Sequence, residues 1–167
     1  MRLRAIICED HPAVREVLRL LCERRGYEVF AFAHPGLCPL HTIGQCPCGP
    51  GGACADLILS DLQMPEVDGI EFVEVLLAKR CVAPHIALMS GGWTETGRAR
   101  AVGLGCRLFT KPFDMIELLA WFDRGETQVA PTRVLVAWAT LEEARSGGNP
   151  GKDSSDKTAR RLMGPSL

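Results

Sequence analysis

Apolar residues recur along the chain with two different periods. Five runs are short and rich in β-branched residues: 3–8, 27–33, 56–60, 85–90 and 107–110. Several are continuous rather than alternating, the pattern of strands covered on both faces. Between them the spacing changes to i, i+3, i+4, i+7. After His11-Pro12 it puts Val14, Val17, Leu18 and Leu21 on one helical face, with Arg15, Glu16 and Arg19 turned away and Gly26 as the stop. Residues 69–80 carry a second stripe of Phe72, Val73, Leu76 and Leu77. A weaker helix is expected over 94–102, where Gly97 lowers the propensity. Another starts at Asp114, with Glu117 at capping-box spacing and Ile116, Leu119 and Trp121 as its apolar positions. Strands alternating with helices predict a parallel sheet with helices on both sides, and ligands at the C-terminal strand ends.

The alternation fails once. Residues 34–55, between the second and third strands, hold five glycines and four prolines where a crossover helix is due. The same stretch concentrates four cysteines, Cys38, Cys46, Cys48 and Cys54. Downstream, residues 132–145 could form one more helix with Val134, Leu135, Trp138 and Leu141 on one side. From Ser146 the chain is Gly, Ser, Asn, Asp and Lys with few apolar residues, so 146–167 is expected to be a disordered tail. The 167 residues suffice for one domain and leave no room for a separate DNA-binding or catalytic one.

Composition narrows the compartment and the partners. Hydrophobic residues make up 47% and charged residues 23%, as in an ordinary globular protein. A net charge of −1 gives no reason to expect nucleic acid or an acidic membrane as partner. Apolar runs are strand-sized and no signal-peptide core follows the N-terminus, which makes the cytoplasm the expected location. Eight cysteines there read as thiols, metal ligands or redox groups before structural disulfides.

The strand ends carry the chemistry. Glu9-Asp10 follows the first strand, Asp61 the third, Ser90 the fourth and Lys111-Pro112 the fifth. Three carboxylates converging on one sheet edge need a cation, and hard oxygen ligands suit Mg²⁺. A carboxylate beside that ion can attack phosphorus, while the metal and a lysine neutralise the phosphoryl oxygens. Each residue alone would read as an exposed charge. Their joint placement on four strand ends does not.

Glu9-Asp10, Asp61-Leu-Gln-Met64-Pro65-Glu-Val-Asp68-Gly69, Leu88-Met-Ser90 and Lys111-Pro112-Phe113 resemble the receiver domain of two-component response regulators. The resemblance covers about residues 3–123. It implies a flavodoxin-like, doubly wound five-stranded parallel sheet of order 2-1-3-4-5, with the cysteine-rich loop (34–55) replacing much of the second helix. It further implies a receiver domain over 1–123 and a signalling role rather than an enzyme; beyond it, the residue pattern makes 124–145 a linker and possible extra helix. Asp61 would accept a phosphoryl group from a sensor histidine kinase or a histidine phosphotransfer protein, and a downstream protein would read the result. Asp10, Asp61 and the backbone carbonyl of Gln63 would hold Mg²⁺, with Glu9 acting mostly through water. Lys111 would contact the phosphoryl group, Ser90 would reorient to it, and the Lys111–Pro112 bond would be cis. An aspartyl phosphatase of the haloacid-dehalogenase type resembles Asp-x-Asp at the strand end; here Gln63 removes the general acid. One departure stands out: receivers usually carry Tyr or Phe where this chain has Leu108, and Phe109 should face the other side of the sheet.

The loop cysteines have the spacing C-x7-C-x-C-x5-C in a segment free to wrap around a centre. Four thiolates suit tetrahedral Zn²⁺, with an iron–sulfur cluster second. His34 and His41 are alternative ligands, and a redox- or metal-sensing module is the alternative function. Cys8 and Cys22 read as buried small hydrophobes; Cys81 and Cys106 carry no assignment.

Overall fold

The computed structural model of the protein describes residues 2–146. Strands β1 (Leu3–Cys8), β2 (Tyr27–Phe32), β4 (Leu57–Asp61), β5 (His85–Ser90) and β6 (Arg107–Thr110) form one parallel sheet of order β2-β1-β4-β5-β6. With the two-residue β3 (Gly52–Ala53) set aside, this is the expected 2-1-3-4-5 order, and the fold is flavodoxin-like. The continuous apolar runs have the predicted cause. Successive residues of each strand feed opposite cores, Ala5 and Ile7 one side, Ile6 and Cys8 the other. Leu57 and Leu59 join the first core and Ile58 the second.

Helices α1 (Pro12–Arg24) and α5 (Met115–Gln128) close the first core with Leu18, Cys22, Leu118, Trp121 and Phe122. Helix α3 (Gly69–Ala78) closes the second with Phe72 and Leu76, and α4 (Glu95–Gly103) packs Ala101 against Ile70, Val73 and Leu88. Three expected stripe positions face outward instead: Val17, Leu77 and Ile116, the last 79% exposed. The true stripes run one position along, through Cys22 in α1 and Leu118 in α5, where the i, i+3, i+4 rows meet the sheet. Asp68 and Glu71 make a full capping box on α3. Asp114 caps α5 by accepting from the backbone of Ile116 and Glu117, but the Glu117 carboxylate turns to Arg107 instead.

The segment of 34–55 is as unhelical as its composition demands. It holds a 3-10 turn at Pro35–Leu37, one helical turn α2 (Pro39–Thr42) and β3. Beyond α5 the expected single helix is two elements: β7 (Val134–Leu135) and α6 (Trp138–Ser146). Val134 and Leu135 extend because the insert offers them an edge. Val134 N–H donates to the Gly51 carbonyl at 3.1 Å and Val136 N–H to that of Ala53 at 3.0 Å, pairing β7 parallel to β3. A buried polar anchor fixes this arrangement. Asp56, 1% exposed, accepts from Arg4 N–H at 2.7 Å and ion-pairs with Arg133, while the Arg4 guanidinium donates to Val136 O at 2.7 Å. Trp138 of α6 then stacks on Phe30 with centroids 3.6 Å apart. Of the expected tail, everything past Ser146 lies outside the described residues. No helix among those described is long and apolar enough to cross a membrane.

Candidate functional site

The C-terminal ends of β1, β4, β5 and β6 bring the predicted residues together. Glu9 follows β1 and is fully buried; Asp10 beside it is exposed; Asp61 ends β4 and is 5% exposed. One carboxylate oxygen from each lies within 4.8 Å of the others. Lys111, just past β6, reaches back across the sheet edge, its ammonium 2.6 Å from Glu9 Oε2 and 2.7 Å from Asp61 Oδ1. The Lys111–Pro112 bond is cis. Glu9 Oε1 accepts from the His11 N–H at 3.1 Å, and Arg15 donates to the backbone carbonyls of Glu9 and Asp10 at 2.6 and 3.2 Å. Gln63 offers Asp61 its N–H, at 3.2 Å from Oδ2.

The charges are unevenly paid for. Burial pushes the Glu9 carboxyl above its ordinary range, against the opposing pull of Lys111 and the His11 N–H. Burial also works against the Lys111 ammonium, but the hydrogen bonds and charges of Asp61 and Glu9 outweigh it, and its pKa is raised. The two directions are compatible: one lysine serves two carboxylates, and the wholly buried one keeps a net desolvation cost. Clustered anionic oxygens with one cation between them are a donor set that fits Mg²⁺.

Ser90 is close by in the fold but turned elsewhere. Its hydroxyl donates to Gly92 O at 2.7 Å and accepts from Gly92 N–H at 3.1 Å. Leu108, three residues before Lys111, packs against the cluster of Ile70, Val73, Leu88, Ala101 and Cys106, while Phe109 is buried in the opposite core against Trp121. An aromatic packed against the same buried cluster as Leu108 is Trp93 of the β5–α4 loop, whose indole N–H donates to Phe109 O at 3.3 Å.

The cysteine quartet is redistributed. Cys46, Cys48 and Cys54 come together, with Cys54 Sγ 3.0 Å from that of Cys46 and 2.9 Å from that of Cys48. Cys38 does not join them. It precedes the single turn of α2, fully buried, and its hydrogen bond to Cys8, with burial, drives the Cys8 thiol well up. Cys8 is therefore buried as expected but paired. The thiol that does approach the cluster is Cys81, in the α3–β5 connection. Hydrogen bonding with Cys54 pulls it down to about 7, with Cys46 and the charge of Lys79 acting the same way. Burial holds Cys46 up at about 11. Spacing carried no signal for Cys81, which meets the loop only because β4 and β5 are neighbours and Cys54 N–H bonds Val82 O at 3.1 Å. His34 lies instead by Glu66, at 4.0 Å, and His41 against the Phe72 ring.

Comparison with known proteins agrees with this fold. The sequence profile of the response regulator receiver domain matches residues 5–123. The chain is 30% identical over 120 residues to a probable transcriptional regulatory protein of Picosynechococcus, covering 71% of this chain and 47% of that protein. It is 28% identical over 145 residues to the alkaline phosphatase synthesis transcriptional regulatory protein SphR of Synechococcus elongatus, covering 83% and 56%. The chain thus spans about half the length of these curated relatives. The non-phosphorylated HemR receiver domain of Leptospira biflexa superposes with a TM-score of 0.64 at 22% identity, covering 77% of this chain and 98% of that one, a likeness of fold. With the profile spanning most of the chain, the protein belongs to the response regulator receiver domain family.

Proposed function

We propose that Asp61 accepts a phosphoryl group from the phosphohistidine of a sensor histidine kinase or histidine phosphotransfer protein, and that a downstream protein reads the change. The observation that carries this is the Lys111 ammonium held at 2.6 and 2.7 Å between Glu9 and Asp61 at the sheet edge. An Asp61 carboxylate oxygen attacks phosphorus. The new O–P bond forms as the N–P bond to the donor imidazole breaks, and the electron pair leaves on that nitrogen. Lys111, freed from one carboxylate, holds the phosphoryl oxygens. Ser90 exchanges its bond to Gly92 O for one to the phosphoryl group. Asp10, Asp61 and the Gln63 carbonyl would hold Mg²⁺, with Glu9 contributing mostly through water. When bound, Mg²⁺ neutralises negative charge that the three carboxylates and the phosphoryl group share.

The cysteine cluster has an architectural part in this reading. Cys54 precedes β4 and Asp61 ends it, so the thiols lie at the opposite sheet edge, roughly 20 Å away along the strand. Incubating the protein with acetyl phosphate and Mg²⁺ tests the proposal by intact mass. One phosphoryl group should be gained, and lost with EDTA or in Asp61→Asn. Labelling that persists in Asp61→Asn would overturn the assignment.

A further inference from the structure

Cys46, Cys48, Cys54 and Cys81 stand apart from the acidic edge and need a reason of their own. Three thiols lie within 4.8 Å of one another, and Cys81 shares their buried cluster from a different connection, brought alongside by the Cys54 N–H bond to Val82 O at 3.1 Å. A disulfide joins two sulfurs, at about 2.05 Å. The observed Cys54 separations are 3.0 and 2.9 Å, and they radiate from one sulfur to two others. Tetrahedral Zn²⁺ with Zn–S bonds of about 2.3 Å spaces its sulfurs about 3.8 Å apart. Those two Cys54 separations therefore need to open by less than about an ångström, while Cys81, more than 4.8 Å from at least one of the three sulfurs, has to close on them.

The surroundings suit a charged centre. Four thiolates on Zn²⁺ leave two negative charges. Arg4 donates to the Cys54 carbonyl at 3.2 Å, and the charge of Lys79 already acts on Cys81. Lys79 itself is held by the Leu40 and His41 carbonyls, at 3.5 Å from the former. Cys54 and Cys81 are buried, while Cys46 and Cys48 are part-exposed, giving an ion a way in. Past the buried Leu40 and Ile43, residues 44–51 supply little to hold themselves: Gly44, Pro47, Gly49, Pro50 and Gly51 punctuate them, and the strand that follows has two residues. Ligand binding free energy would become folding free energy there.

We propose that Cys46, Cys48, Cys54 and Cys81 form a closed tetrathiolate site for Zn²⁺, with Cys38 outside it. The ion ties the insert to the α3–β5 connection, and so holds the β3 edge on which β7 is laid. It does not depend on phosphorylation of Asp61, so failure of either reading leaves the other standing.

Metal analysis of the full chain, purified without added metal or chelator, gives the first readout. About one equivalent of zinc per chain is expected. A metal-free chain with freely titrating thiols, a disulfide among the four, or iron in place of zinc would each overturn the proposal. Substitution separates the fourth ligand. Cys38→Ser should retain zinc, whereas Cys81→Ser should weaken it beyond the roughly 100-fold that outer-shell changes cause. Cys81→His keeps a ligand and serves if Cys81→Ser fails to fold. It should bind Co²⁺ with a weaker thiolate charge-transfer band than the wild type, and an unchanged band would remove Cys81 from the set. Zinc lost in Cys38→Ser but kept in Cys81→Ser would overturn the assignment outright.

Discussion

Gly69 begins α3 directly behind Asp61, and its replacement by alanine tests how tightly that helix is docked. A Cβ built there would sit 2.3 Å from the Asp61 carbonyl oxygen and 3.0 Å from Leu88 Cδ2. Carbon–oxygen contacts settle near 3.3 Å, so about 1 Å of movement must be found. The oxygen is backbone, in a residue paired with Met89 of β5, and Gly69 N–H is itself bonded to Leu62 O at 2.9 Å. Helix propensity pulls the other way, favouring alanine by at most about 1 kcal/mol. Overpacking costs about 1–3 kcal/mol or more when a neighbour cannot yield. The steric effect wins, and Gly69→Ala should lose about 1–2 kcal/mol in urea unfolding of the full chain in EDTA. Gly103→Ala, with nothing within 4 Å of its Cβ at the end of α4, is the matched control and should be neutral or slightly stabilising. Because the displaced atom belongs to Asp61, labelling by acetyl phosphate should slow as well, by on the order of 10–100-fold for a shift approaching 1 Å. A Gly69→Ala variant as stable as Gly103→Ala would refute the packing argument.

Three further outcomes follow from other parts of the structure. Burial raises the Glu9 pKa, so the folded chain holds that proton more tightly than the unfolded one. Its contribution is complete below the unfolded value of about 4.3 and is lost as pH rises through the folded one. Glu9→Gln should therefore match the wild type near pH 4 and exceed it in urea midpoint at pH 7 in EDTA. A variant less stable at pH 7 would mean that the Lys111 pair outweighs desolvation. Arg133→Ala strands the buried Asp56 carboxylate with only the Arg4 N–H, and should cost about 3 kcal/mol by thermal or urea melts. A loss within 0.5 kcal/mol, about that of an ordinary surface change, would contradict the anchor. Reorienting Ser90 breaks its bonds to Gly92, next to Trp93, so acetyl phosphate with Mg²⁺ should change tryptophan emission in the wild type and not in Trp93→Phe.

Legibility in the sequence followed the range of the interactions involved. Strands and strand ends were readable because burial on both faces writes itself into consecutive residues, and because Glu9-Asp10, Asp61 and Lys111 lie at or just past the ends of such runs. Helical faces were read to within one position. Val17 and Ile116 look apolar in isolation, but the sheet contacts select Cys22 and Leu118. The C-terminal segment was misread as one helix because Val134 and Leu135 are extended only by virtue of an edge that the glycine-rich insert supplies. Arg133 and Asp56, which join those two regions, show no pattern at either end of the chain.

The cysteines carry the same lesson further. Spacing alone groups Cys38 with Cys46, Cys48 and Cys54, since a loop can bring near neighbours together at little entropic cost. Yet α2 begins directly after Cys38 and turns that thiol onto Cys8. Cys81 is delivered by the register of β4 beside β5, in which Leu57 pairs with His85. The same register puts Asp61 opposite Met89 at the other edge. One pair of strands thus separates the two chemistries, thiols before the strands and carboxylate after them. A change at the thiols has to travel through β4 or around the β3–β7 edge to reach Asp61. That path favours an effect of metal on the stability of the scaffold over a direct effect on phosphorylation chemistry.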